Sequence, residues 1–217
     1  MRRKTGNLCI ILGTALILGA LILFLHNKQE ERLAQEASEV YLEQLVCQIN
    51  RAEETAPQAE TGEDEDGLLE YIVPEIPEAL LTAEDLEMTE TVVDGRSYIG
   101  YLALPALNLE LPILADWNYG LLQVAPCRYY GTLRGNDLVL MAHNYASHFG
   151  RISELRQGDP VIFVDTEGRA TRYVVVGQDV LDPYAVEEMT SGEFDLTLFT
   201  CTYGGKSRVT VYCDRAS

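Results

Sequence analysis

The N-terminal part of the chain carries one long apolar run. Residues 8–25 are almost wholly apolar and follow the basic tip Met1-Arg2-Arg3-Lys4. A helix of this length spans about 27 Å at ~1.5 Å per residue, close to the ~30 Å of a bilayer's hydrocarbon core. Because basic flanks stay in the cytoplasm, the pattern predicts a signal-anchor with the rest of the chain outside. A cleaved signal peptide is the alternative, but the bulky polar residues 26–29 do not resemble a cleavage site.

A second apolar pattern follows directly and predicts an amphipathic helix over residues 30–49. No glycine or proline interrupts it. Its apolar positions recur at spacings of three and four, as on one face of a helix: Leu33, Ala37, Val40, Tyr41 and Leu45. We expect this helix to continue the membrane helix outward. The acidic stretch 52–67 predicts a linker, and residues 67–91 predict an extended segment with a short helix near 83–87.

The chain changes character from Val92 onward, where short apolar runs alternate with turn signals. Such spacing is typical of an all-β sandwich or barrel. The predicted strands are 98–104, 109–114, 137–142, 160–164, 172–177, 194–200 and 207–214. Residues 121–130 are ambiguous, 147–155 predict a short helix, and 181–193 predict a long polar loop. The resulting organisation is an anchor at 1–28, a helical and acidic stalk at 29–91, and a mainly β domain at 92–217.

The charge is concentrated in the stalk. The whole chain has a formal net charge of -18, of which residues 29–90 carry 19 acidic and two basic side chains. A solvated spacer is the simplest interpretation of this stretch. No basic patch occurs in the outer part of the chain, which argues against nucleic acid as a partner.

The cysteines indicate a reactive thiol more than a metal site. The five cysteines are Cys9, Cys47, Cys127, Cys201 and Cys213, and none forms a C-x-x-C pair. The three histidines are also dispersed, whereas structural zinc needs closely spaced ligands. Cys127 and Cys213 could form a disulfide outside the cell or remain two buried thiols, and both possibilities stay open at this stage.

Three residues at predicted strand ends carry candidate acyl-transfer chemistry. Cys201 follows the run Leu196 to Thr200 and precedes a Tyr-Gly-Gly turn, so its thiol should lie at an open strand end. Arg208 opens the next strand and should lie beside it, where a permanent positive charge can stabilise an oxyanion. His143 ends another apolar strand and can shuttle a proton. His148 competes for that role but is expected to cap or pack.

These residues resemble the sortases, the cysteine transpeptidases of Gram-positive surfaces. The box Thr197-Leu198-Phe199-Thr200-Cys201, the pair His143-Asn144 and the arginine Arg208 match the family's motifs. The resemblance covers about the last 120 residues. It implies a closed eight-stranded β-barrel with short helices, held at the cell membrane by a single N-terminal helix with the catalytic domain outside.

The resemblance also implies the roles of the site residues and the partners. Cys201 would attack the sorting signal of an exported protein, His143 would move the protons, and Arg208 would bind the substrate carbonyl or oxyanion. Thr200 and Asn144 are the expected substrate contacts. The acceptor would be an amine of a cell-wall precursor or of a pilin. No cofactor is implied, although calcium is conceivable because the loop 181–193 carries Glu187, Glu188 and Glu193.

Two other functions remain compatible with the sequence. A hydrolytic cysteine protease on the same fold would use water as its acceptor, and a non-catalytic surface module would bind without reacting. The class of sortase stays open, because neither the anchor nor the segment after Asn144 distinguishes housekeeping, iron-related and pilus-building types. The short interval from Cys201 to Arg208 requires a tight turn, for which Gly204-Gly205 supplies the backbone freedom.

Overall fold

A computed structural model of the chain describes residues 2–55 and 88–216, with side chains described from 12 to 51 and from 88 to 216. The predicted linker beyond residue 55, the extended segment up to residue 87 and the short helix near 83–87 lie outside these ranges. The side chain of Cys9 lies outside them as well.

The first element is one uninterrupted helix, α1, over Arg2–Thr55. The amphipathic helix predicted over residues 30–49 therefore does continue the apolar run, as expected. It also extends a few residues into the segment predicted as a linker from residue 52, because the acidic stretch after Ile49 still lacks glycine and proline up to residue 55. Within the described ranges, α1 is long and apolar enough to cross a membrane, by length and composition.

The domain that follows is a β-barrel. Its strands, within the described residues, are β1 Thr91–Val93, β2 Arg96–Leu104, β3 Leu109–Leu114, β4 Cys127–Tyr130, β5 Leu138–Ala142, β6 Pro160–Asp165, β7 Ala170–Leu181, β8 Leu196–Cys201 and β9 Arg208–Arg215. They pair in the order β1-β2-β3-β4-β5-β8-β9-β7-β6, and β2 pairs again with β6. That second pairing closes β2 to β9 into an eight-stranded ring, and β1 is an added arm on β2. The predicted closed eight-stranded barrel is confirmed.

Short helices connect some of the strands. Two are α-helical, α2 Tyr119–Leu122 and α3 Val186–Met189. Two are 3₁₀ turns, Pro105–Leu107 and Ile152–Glu154. The ambiguous run 121–130 thus divides into the end of α2 and strand β4. The helix predicted over 147–155 is reduced to a turn and a 3₁₀ segment, because Phe149 is anchored in the barrel core and its amide donates to the His143 carbonyl instead of to the carbonyl four residues earlier.

The barrel interior forms the main core. It is lined by alternate residues of the strands, as the period of two requires. Its fully buried members include Ile99, Leu102, Leu140, Phe163, Leu198 and Val211. Phe149, from the segment after β5, inserts into the same core. The outward-facing residues of β5, β8 and β9 are therefore those at the intervening positions, which is the face that carries the candidate site.

A second core joins α1 to the outside of the barrel. Leu45 and Ile49 pack with Val93, Tyr98 and Leu122. The buried face of α1 differs in part from the one predicted, because Leu33 and Val40 are exposed whereas Ala34 and Ser38 are buried. Small residues at these two positions allow the helix to approach the barrel closely.

The β1–β2 hairpin holds α1 through polar contacts. Arg96 Nη1 donates to the Tyr41 hydroxyl over 2.7 Å, and that hydroxyl donates to Asp94 Oδ2 over 3.2 Å. Asp94 and Gly95 form the turn of this hairpin, both with positive φ. The hairpin and the apolar cluster together fix the far half of α1 on the barrel.

Cys127 and Cys213 are both free thiols. Cys213 lies in the barrel core, facing away from the outer face, and Cys127 lies in the cluster beneath α1. Burial raises the pKa of each thiol to about 12. Of the two possibilities left open by the sequence, the structure has the pair of buried thiols.

Candidate active site

Cys201 and Arg208 lie directly opposite each other at the open ends of β8 and β9. The antiparallel register pairs Leu198 with Val211 and Cys201 with Arg208. Leu198 faces the barrel core, so Cys201, three positions later, faces outward. Directly opposed residues have Cβ atoms about 5 Å apart, which puts the thiol and the base of the Arg208 side chain together on the outer face.

His143 reaches the same place from β5. Strands β5 and β8 run parallel, with Met141 opposite Phe199 and Ala142 opposite Thr200. The next residues along the two strands are His143 and Cys201. Neighbouring strands are about 4.8 Å apart, so the imidazole and the thiol emerge side by side from the same edge of the sheet.

The Thr200 side chain ties these two strand ends together. Its hydroxyl donates to the Ala142 carbonyl over 2.8 Å, and the residue is only 3% exposed. The bond joins the residue before Cys201 to the residue before His143. Thr200 therefore fixes the spacing of the thiol and the imidazole from behind, and the substrate contact through its hydroxyl stays a prediction.

The turn between β8 and β9 is as tight as the sequence required. Gly204 and Gly205 both have positive φ, and the Thr202 and Ser207 backbones bond across the turn. The Arg208 Nη1 atom donates to the carbonyls of Gly205 and Ser207 over 3.1 and 3.2 Å. The half-buried Arg208 side chain is thus folded over this turn and held there through its Nη1 atom.

The segment after His143 is held rigidly. The Phe149 amide donates to the His143 carbonyl over 3.2 Å, and Phe149 itself is anchored in the barrel core. Gly150 has no room for a Cβ, since the carbonyls of Asn144 and Tyr145 lie against it. Asn144 is half-buried directly after His143. The backbone that carries His143 is therefore tied at both ends of this loop.

The surroundings of His143 favour its neutral form. Burial lowers the pKa of His143, and the carboxylate of Glu30 on α1 opposes this shift. The Tyr145 ring lies against the imidazole, with 4.9 Å between ring centroids. Sequence reasoning missed both Tyr145 and Glu30. The polar positions of α1 were available as a signal, but no pattern in the sequence shows which loop they face.

His148 is a packing residue, as expected. It is fully buried between the loop after β5 and α1. Burial, reinforced by the nearby His143, lowers its pKa to about 4. A histidine held neutral inside the α1 interface cannot reach an outward-facing thiol, so the structure separates the two histidines by role.

An apolar floor extends from the thiol along the outer face. Phe199 lies two residues before Cys201 and packs with Val139 and Met189. Tyr129 adds an edge-to-face ring contact to Phe199, with centroids 5.2 Å apart. Met189 belongs to α3, so the loop between β7 and β8 folds onto this floor instead of extending into solvent.

The acidic residues of that loop, Glu187, Glu188 and Glu193, are exposed to solvent. In the ranges that the structure describes, no three histidine, cysteine, aspartate or glutamate side chains are grouped as metal ligands. The prediction that no cofactor is needed, with calcium only conceivable, stays a prediction.

Comparison with known proteins identifies the family. The family model for the sortase domain matches residues 102–216, which include the thiol, the imidazole and the guanidinium described above. The chain belongs to the sortase family. A curated relative, sortase A of Bacillus anthracis, is 28% identical over 121 residues, or 53% of this chain and 57% of the relative.

Solved sortase structures have the same fold. Sortase A from Corynebacterium diphtheriae superposes with a TM-score of 0.52 at 22% identity, over 56% of this chain and 62% of that one. Sortase C1 from Streptococcus suis superposes with a TM-score of 0.50 at 27% identity, over 55% and 73%. This chain thus spans less than two thirds of the length of the curated relative and of the diphtherial structure.

Proposed function

We propose that this sortase is a membrane-anchored cysteine transpeptidase. It cleaves the sorting signal of an exported protein through a thioacyl intermediate and joins the new carboxyl end to an amine. The observation that carries the proposal is the convergence of Cys201, His143 and Arg208 at one edge of the outer face, brought there by the registers of β5, β8 and β9. The family match over the same strands supports it.

Each group has a chemical task in the proposed first step. The Cys201 sulfur attacks the scissile carbonyl carbon, so that a C–S bond forms as the amide C–N bond breaks. Neutral His143 takes the proton of the Cys201 thiol as the sulfur attacks and delivers it to the departing amine. Arg208 stabilises the negative charge on the carbonyl oxygen, because a guanidinium beside a half-buried thiol needs little reorganisation to bind it.

The second step reverses these movements. An incoming amine attacks the thioester carbon, the new C–N bond forms and the C–S bond breaks. His143 takes the proton of the amine, and the thiol is regenerated. We propose a cell-wall precursor or a pilin as the acceptor, and an extended peptide lying on the floor around Phe199 as the donor. Asn144 is proposed as a substrate contact at the rim of this site.

The proposed location is the outer side of a cell membrane. Side chains of α1 between Leu12 and Leu25 are largely exposed and apolar, which suits lipid contact. The basic residues before this run favour a cytoplasmic N-terminus and a barrel on the opposite side. An alkaline-carbonate wash tests the anchor, since release of the intact chain into the supernatant would exclude it.

The decisive experiment compares Cys201→Ala with Cys47→Ala in the full chain, in detergent. A peptide library is offered with and without glycinamide as the acceptor, and with and without calcium. We expect the native chain and Cys47→Ala to ligate the amine, because Cys47 is an exposed thiol on α1. Cys201→Ala should form neither thioester nor product at unchanged fold. Ligation that survives the loss of Cys201 would refute the proposal, and cleavage without ligation would show a hydrolase.

A further inference from the structure

α1 relates the position of the barrel to the end of the apolar run. It is a single helix over Arg2–Thr55, with no break between the exposed apolar residues and those packed on the barrel. At ~1.5 Å per residue, the axial distance from Leu25 to any contact on α1 follows from the residue number. The position of each contact along α1 therefore gives the distance of that part of the barrel from the end of the apolar run.

The loop that follows β5 and carries His143 contacts α1 close to the end of the apolar run. The Ala146 amide, three residues after His143, donates to Glu31 Oε1 over 2.9 Å. Glu31 is six residues beyond Leu25, or about 9 Å along the axis. Such a distance places the loop at the outer edge of the headgroup layer, since the polar regions add about 5–7 Å to each side of the hydrocarbon core.

The opposite end of the barrel lies far away. Leu122 of α2 packs against Leu45 and Ile49. These two residues are 20 and 24 positions beyond Leu25, which corresponds to about 30 to 36 Å along the helix. The barrel thus presents one particular end to the bilayer, and that end carries the candidate site.

The turn after Cys201 reaches the same near level. Because β5 and β8 run parallel, both strands end on the same side of the barrel. The chain continues beyond Cys201 on that side and reverses at Gly204-Gly205. Hydrogen bonding and charge from Glu31 raise the pKa of Lys28, and a smaller electrostatic contribution comes from Tyr203 in this turn. Lys28 is only three residues beyond Leu25, so the turn approaches the membrane end of α1.

The composition of the turn suits a headgroup layer. Tyr203 lies at the tip of this turn and is 94% exposed. In water, the apolar surface of its ring would therefore have no packing partner. Lys206 is exposed beside it. Tyrosine and lysine are the residues that anchor proteins at the membrane–water interface, where the ring and the ammonium group meet both environments.

We propose that the turn 202–207 rests on the headgroup layer of the bilayer that holds α1, so that the mouth of the Cys201 site opens at the membrane surface. This inference rests on the proposed membrane anchoring. The partner surface is the bilayer itself. The donor peptide and the acceptor amine are then required to meet within about 10 Å of the lipid.

A depth measurement tests this arrangement in the full chain. Trp117 is replaced by Phe so that one new tryptophan reports alone, either Tyr203→Trp or Tyr119→Trp. Tyr119 is the matched control because it is 80% exposed but belongs to α2, at the far end of the barrel. The proteins are reconstituted in phosphatidylcholine–phosphatidylglycerol vesicles that contain a lipid with a spin label on its headgroup.

We expect the label to quench the tryptophan at position 203 and to leave the one at 119 unchanged. Equal quenching at both positions, or none at either in protein that floats with the vesicles, would overturn the arrangement while leaving the anchor intact. Protein that does not float with the vesicles would refute the anchor and the arrangement together. A second variant inserts seven helical residues after Leu25. It raises the barrel by about 10 Å while nearly preserving the helix face, so the quenching at 203 should fall.

Discussion

At the scale of single residues, the site depends on groups that do not react. Thr200 and His148 are both buried, and each is next to a reactive strand end without facing outward. Thr200 joins the end of β8 to the end of β5 through its hydrogen bond, and His148 fills the space between the loop after β5 and α1. Their roles are to position other groups, which changes what their substitution should do.

Thr200→Val should lower the activity without removing it, whereas Thr200→Ser should largely restore it. Valine keeps the shape of threonine but leaves the buried Ala142 carbonyl without its 2.8 Å hydrogen bond. The stability cost is about 1–3 kcal/mol, and the thiol–imidazole spacing is no longer fixed. Ligation rates and thermal unfolding of the three chains provide the measurement. If serine were as impaired as valine, the hydroxyl bond would not be the cause.

The buried His148 should make stability depend on pH in acid. Its pKa is about 4 in the folded chain, against an ordinary value of 6.5. Above pH 6.5 both states are neutral and nothing changes. Between pH 6.5 and 4 only the unfolded chain takes up the proton, so stability falls as the pH falls. The loss approaches roughly 3 kcal/mol.

His148→Leu isolates this contribution. The carboxylates of the chain also titrate in acid, so the informative quantity is the difference in unfolding free energy between the native chain and the variant across this pH range. We expect that difference to shift in favour of the leucine chain on acidification. A difference that stays constant with pH would show that His148 is not the group responsible.

At the scale of elements, the hydrophobic pattern and the turn residues between apolar runs located most of the strands. The predicted ranges 98–104 and 109–114 correspond to most of β2 and to β3, because Pro105 ends the first apolar run and the second begins directly after Asn108. The helix predicted after Asn144 and the polar loop 181–193 were less accurate. Both segments fold onto the barrel through residues such as Phe149 and Met189, and burial against distant strands has no local signature.

Gly100→Ala should destabilise the barrel where it closes. Gly100 has a φ of 142°, and a Cβ there would overlap the Val164 carbonyl on β6, with which β2 pairs. The backbone strain alone is of order 1–3 kcal/mol. Gly177→Ala is the matched control, because its Cβ would meet only the Tyr212 ring at an ordinary 3.7 Å. Chemical denaturation compares the two, and equal midpoints would contradict the tight closure.

At the scale of the whole molecule, α1 and the barrel form one packed unit. Leu45 is fully buried against the barrel, whereas Leu33 on the same helix is 58% exposed. The helix that carries the proposed anchor thus also covers apolar surface of the catalytic domain. Its orientation on the barrel is what would hold the site close to the bilayer.

Leu45→Ala should lower the unfolding temperature of the barrel, and Leu33→Ala should have little effect. Truncating a buried leucine costs about 2–5 kcal/mol, whereas an exposed one changes stability by at most about 0.5 kcal/mol. Differential scanning calorimetry of the full chain in detergent separates the two. Equal unfolding temperatures would mean that α1 does not pack on the barrel in solution.

The sequence by itself determined the long N-terminal helix, the strand-rich domain and the three candidate catalytic residues. These follow from local periodicity, turn chemistry and a short motif, each of which is contained within a few neighbouring residues. The tertiary structure alone decided that His143 follows β5 beside Cys201 and that the Thr200 hydroxyl donates to the Ala142 carbonyl. It also decided that Ala34 and Ser38 belong to the buried face of α1. Those outcomes depend on strand register and barrel closure, which join residues tens of positions apart and are fixed only when the whole core packs.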